Sequence, residues 1–132
     1  MSEDDELVER FEKTELEMLP HADHVRIAVR YLQQYGPELA LERLVAGLTR
    51  FAAAKGHPDK FHYTLTRAWL ELIVLAHERH PQARTAAELL GACPALLDAR
   101  TIRRFYSAAV LATEGARLGW VGPDVSPLKA PL

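Results

Sequence analysis

The chain has one cysteine, Cys93, in 132 residues. A single thiol excludes an intrachain disulfide framework and any zinc site built from several cysteines. Serine is nearly as scarce, at Ser2, Ser107 and Ser126. None of the three sits in a G-x-S-x-G turn, which removes the serine-hydrolase elbow. No glycine-rich phosphate loop is present. Apolar runs are short. Leu72 to Ala76 is representative, against the roughly 20 residues that a bilayer-spanning helix requires. Positive charge is not in excess either, since the formal net charge is -2. That balance argues against a nucleic-acid partner. The first residues, Ser2, Glu3, Asp4, Asp5 and Glu6, carry the opposite charge from a secretory n-region. The expectation is a cytoplasmic protein with neither membrane nor nucleic acid as partner.

What the chain has in abundance is alanine and leucine, twenty of each, against three isoleucines and eight valines. That balance favours helix over strand. Hydrophobic residues at 48% and charged residues at 26% are a globular composition. The length suits one domain with a core that needs no staple. The spacing predicts a first helix from about Asp4 to Glu15. Pro20 opens a second, because proline fits the first turn of a helix. Gly36-Pro37 breaks it. A third runs from Pro37 to about Lys55 and stops at Gly56. A fourth runs from Asp59 or Lys60 to Arg79, and its middle, Ala68 to Ala76, is apolar almost all round. Thr85, Asp98 and Ser107 are placed to cap three shorter helices, the last reaching about Gly119. Pro94 begins a further turn. Pro123, Pro127 and Pro131 forbid regular helix in the tail.

The expected architecture is all-α, a compact single-domain bundle of five to seven helices with an irregular proline-containing tail. Residues 1–10 read as an acidic, partly frayed terminus, 11–122 as the bundle and 123–132 as the tail. Eight acids against Arg10 and Lys13 give residues 1–17 a net -6, so the remainder carries +4. Such an acidic run is either a solvated terminus or a docking segment for a basic partner. A helix as apolar as the fourth often pairs with a second copy, which makes a homodimer an expectation.

The histidines carry the chemistry. Residues three and four apart share a helix face. His21, His24, Ala28, Tyr31, Leu32 and Tyr35 therefore form one stripe, and it is the apolar one. A buried imidazole needs partners for its ring nitrogens or it destabilises the fold. His62 lies near the start of the fourth helix, on a face with Thr66, Trp69 and Ile73. If the second and fourth helices meet near these ends, His21, His24 and His62 converge. Three imidazoles suit one transition metal, Fe, Zn or Cu. Alternatively the rings are core groups satisfied by tyrosine, threonine or backbone. The pattern is neither H-E-x-x-H nor the Glu-x-x-His pair of di-iron bundles.

Glu114 falls on one helical face with Leu111 and Leu118, and Arg117 follows three residues later. It reads as a buried carboxylate completing a metal shell or acting as a base, or else as an intrahelical pair with Arg117 at the edge of the core. Thr66 and Tyr31 would orient water or substrate. His57 reads as a turn residue. His77 and His80, near a helix C-terminus, complement its dipole.

Three segments together carry a resemblance. They are His21-Ala-Asp-His24-Val-Arg-Ile-Ala; then Phe51-Ala-Ala-Ala-Lys-Gly56 leading to Phe61-His62-Tyr-Thr64-Leu-Thr66; then Phe105-Tyr106-Ser107 through Ala116-Arg117 to Pro123-Asp124. The chain resembles, over about residues 11–128, a group of small bacterial helical proteins known mainly as hypothetical. The resemblance implies that His21, His24, His62 and Thr66 belong to one recurrent pattern. It implies no activity, cofactor or substrate.

Two classes of function follow. One is a small metal-dependent enzyme with a mononuclear histidine site acting on a small molecule. The other is a non-catalytic helical module for a ligand or a protein partner, in which the histidines are structural. A metal-free acid–base enzyme lies between them.

Overall fold

In the computed structural model, which describes residues 2–132, the chain opens with α1 (Glu3–Glu12). Its start is a capping box. The Ser2 hydroxyl accepts from the Asp5 N–H, and the Asp5 carboxylate accepts from the Ser2 N–H. The helix buries Val8 and Phe11. Two of its acids tie it to α2: Asp4 pairs with Arg26 and Asp5 with Arg30, both at 2.8 Å. The acidic terminus is thus part of the bundle, and the boundary expected at residue 10 falls inside a docked helix. The helix stops short of Glu15, because Thr14 turns the chain at φ 59°.

α2 (His21–Tyr35) and α3 (Pro37–Ala54) are separated by one residue. Gly36 takes φ 81° and ψ 169°, a region essentially closed to side-chain-bearing residues. Its N–H still closes on Leu32 O and its carbonyl accepts from Ala40 N–H. One glycine therefore ends one helix and starts the next. Gly47, in α3, lies directly against the Phe11 ring of α1. A Cβ there would collide with the Phe11 ring.

α3 ends in a Schellman motif, with the His57 N–H on Ala52 O, the Gly56 N–H on Ala53 O, and Gly56 at φ 77°. A 3₁₀ segment at Pro58–Lys60 follows. Then comes α4 (Tyr63–Arg79), which buries Thr64, Thr66, Trp69, Leu72, Ile73 and Ala76 among others. It starts later than the spacing predicts, since His62 is its cap and not a first-turn residue. α5 (Ala86–Ala92) has a Thr85–Glu88 capping box. Two 3₁₀ segments, Pro94–Leu97 and Ala99–Arg104, replace regular helix beyond it. The last predicted helix is broken in two, α6 (Ala108–Leu111) and α7 (Glu114–Leu118). Thr113 leaves helical geometry and its hydroxyl accepts from Ala116 N–H. A threonine that can cap does so in place of continuing.

The tail is irregular but tied down. Thr64 donates to Gly119 O at 2.6 Å and accepts from Val121 N–H at 3.0 Å. Tyr106 donates to Val121 O, and the buried Cys93 thiol donates to Pro131 O. The described residues contain no strand, and no described helix is long and apolar enough to cross a membrane.

Candidate functional site

The one-residue link makes α2 and α3 antiparallel, and the turn at Gly56 returns the chain into α4. The starts of α2 and α4 and the end of α3 therefore gather at one end of the bundle. A cavity of about 400 Å³ opens there. Its walls are mostly apolar: Leu48, Phe51 and Ala52 from α3, Phe61 and Leu65 around the start of α4, and Met18 and Leu19 from the α1–α2 connection. Its polar groups are few. They are His24, His62 and Thr66, with Lys55, Lys60, His57 and Glu17 exposed around the opening.

The three histidines differ in what they hold. His21, the first residue of α2, donates from Nε2 to Leu96 O at 2.9 Å. Its ring lies 4.5 Å from the Trp69 ring, tilted by 59°. It does not line the cavity. His62 is fully committed. Its Nδ1 accepts from the Leu65 N–H at 3.1 Å, so its proton sits on Nε2, which donates to Leu111 O at 2.8 Å. That ring caps α4 and fastens α6 to it. It presents an edge to the cavity but has no nitrogen to spare.

His24 is the exception. It lies one turn after His21 and bonds no protein group. No fully enclosed side-chain nitrogen or oxygen among the described residues lacks a partner, so the His24 ring nitrogens must open onto the cavity. Its pKa is pushed down from 6.5 to about 4, first by burial and then by the neighbouring charge of His21. At neutral pH the ring is uncharged, with one nitrogen to donate and one to accept.

The remaining expected site residues are dispersed. Thr66 lines the cavity, but its hydroxyl donates to His62 O at 2.7 Å in its own helix. Tyr31 is buried elsewhere, donating to Glu12 at 2.9 Å. Burial and the Glu12 carboxylate both raise its phenol pKa. Glu114 is the first residue of α7, its side chain 78% exposed and its carboxylate 3.9 Å from Arg117. It is the intrahelical pair at the edge of the core, not a buried carboxylate. The break at Thr113 is the reason, because it changes the helical phase from which burial was read.

In this arrangement both His62 nitrogens are engaged by the chain and the His21 Nε2 is bonded to Leu96 O, so His24 is the one of the three rings with no protein hydrogen bond. Among the described residues no group of three or more histidine, cysteine, aspartate or glutamate side chains is placed to hold a metal ion. The set brought to one place is instead His24, His62 and Thr66, lined by aromatics and flanked by lysines. Phe51, Phe61, Lys55 and Lys60 went unnoticed as site residues. Two phenylalanines and two lysines flanking one glycine-proline turn were the available signal. The chain matches no protein-family model, no curated protein and no solved structure.

Proposed function

We propose that this chain is a helical ligand-binding module that holds one small, largely apolar molecule at the His24 end of the bundle. The observation that carries the reading is a mostly apolar cavity with one half-buried polar group, His24, left without a protein partner. A volume of about 400 Å³ lies within the ~300–1,000 Å³ range of small-molecule pockets. Apolar walls with one or two placed polar atoms are the usual design: the walls provide affinity and the polar atom fixes orientation. Because the His24 ring nitrogens open onto the cavity, a ligand atom there can reach hydrogen-bond distance of a group that the protein leaves unpaired.

The test uses a neutral, environment-sensitive dye such as Nile red. The expected result is saturable one-to-one binding that is lost in Leu48→Trp, where the larger side chain fills the cavity. Equal dye binding by the filled and native proteins, or none by either, overturns the reading. A circular-dichroism melt confirms that Leu48→Trp is folded.

A further inference from the structure

The cavity end of the bundle has an uneven electrostatic character. Lys55 and Lys60 stand exposed at the opening, and neither takes part in the ion pairs of the described residues. Seven other cations, Lys13, Arg26, Arg30, Arg43, Arg67, Arg100 and Arg117, have carboxylate partners within 4.0 Å, and Arg10, Arg50, Arg79, Arg84, Arg103, Arg104 and Lys129 do not; what sets Lys55 and Lys60 apart is that both line one cavity. Lys55 is held over the Phe51 ring, with its ammonium 5.5 Å from the ring centre, which keeps the charge at the wall of the cavity. One carboxylate, Glu17, also lines the opening, from the exposed α1–α2 connection. Two ammonium groups outnumber it.

The helices add to the same sign. α2 and α4, of 15 and 17 residues, both direct their positive ends here. α2 has Pro20 at its cap, and no side chain accepts from its first N–H groups. Its one first-turn acid, Asp23, is tied to Arg26. The negative end of α3 is muted, because the Schellman bonds occupy the Ala52 and Ala53 carbonyls. Inside this positive setting sits the His24 ring, free to donate. A carboxylate is the small acceptor that matches a lone N–H donor, a positive opening and apolar walls at once.

Building on the ligand-binding reading, we propose that the occupant is a small monocarboxylic acid. Its apolar body lies against Leu48, Phe51, Phe61 and Leu65, and its carboxylate accepts from the His24 ring. Lys55 and Lys60 close over the head group from the opening. The site is one of recognition, and no bond of the ligand is made or broken there.

The experiment compares octanoate, 1-octanol and octylammonium, which share one apolar body, by titration calorimetry on the full chain. Octanoate is expected to bind at least about tenfold more tightly than octanol, as a charge-assisted hydrogen bond would give. Octylammonium is expected to bind most weakly. His24→Leu should cut the preference for the acid several-fold while octanol still binds, and an unchanged preference overturns the His24 contact. His24→Gln, which keeps a donor, should retain part of that preference, and it serves as the control should the leucine variant fold poorly. Joint Lys55→Ala and Lys60→Ala should weaken octanoate alone and flatten its salt dependence. Equal binding of octanoate and octanol overturns the carboxylate class but leaves the cavity reading standing. Preference for octylammonium would overturn it in favour of recognition by Glu17. If Nile red binds and none of the three amphiphiles does, the acid is wrong and the cavity is right. If the dye also fails, both readings fall.

Discussion

Two of the polar groups on the inward stripe of α2, Tyr31 and His24, are in opposite circumstances. Tyr31, two turns along the helix, donates to Glu12 of α1, and Arg43 stands 3.8 Å from the same carboxylate. Arg26 and Arg30 nearby are paired to Asp4 and Asp5. Tyr31, Arg26 and Arg30 thus all have their partners inside the chain. His24, at the other end, has none. A saturated cluster is a fastening: it holds α1 on α2 and leaves nothing for a visitor. An unsaturated group at the wall of a cavity is the reverse, since its bonding capacity is kept for something from outside. Burial alone does not distinguish the two, whereas a hydrogen-bond count does.

The contrast can be broken at either end. The largest effect is expected from Phe11→Ala, which empties the contact with Gly47 and loosens α1. About 3–5 kcal/mol of stability should be lost, read as a fall in the urea midpoint. Next comes pH. The His24 pKa is near 6.5 when unfolded and about 4 when folded. The unfolded chain therefore takes up a proton first as pH falls. The stability linked to this ring is fully present above about pH 6.5 and is lost as pH falls toward 4, to the extent of about 3 kcal/mol. Urea titrations at pH 7 and pH 4.5 should show the loss in the native protein and a flatter profile in His24→Gln.

Tyr31→Phe sharpens the comparison from the saturated side. It should cost about 1 kcal/mol through the lost hydrogen bond to Glu12, with Nile red affinity unchanged. Glu114→Gln is the smallest. The pair with Arg117 is long and solvent-exposed, so the change in midpoint should correspond to less than about 0.5 kcal/mol, again without effect on binding.

Much of the fold could be read from local chemistry. Pro20, Gly36-Pro37, Gly56, Thr85, Asp98 and Ser107 punctuate the helices where the residue types demand. Such signals act over three or four residues and need no knowledge of the rest of the chain. The site was less legible because it depends on helical phase, and one residue's error turns a side chain by about 100°. His62 was read as a first-turn residue and is a cap, so its nitrogens face the backbone of Leu65 and Leu111. Glu114 moved to the surface for the same reason. His24 was placed on the inward stripe, and it does face inward. Which inward group stays unpartnered depends on α6, on the 3₁₀ segment at Pro94–Leu97 and on α1, all distant in sequence.

The Thr64 clasp on the tail also has a consequence in time. Its partners, Gly119 and Val121, are 55 and 57 residues away along the chain. The α2–α3 hairpin closes over a single glycine and can form early, because joining near neighbours sacrifices little chain entropy. The clasp must wait until α4 exists and a long segment has been drawn in. The last stretch of the polypeptide is therefore a late arrival in folding and an early departure in unfolding. Its backbone amides should exchange with deuterated solvent well before those of α3 and α4.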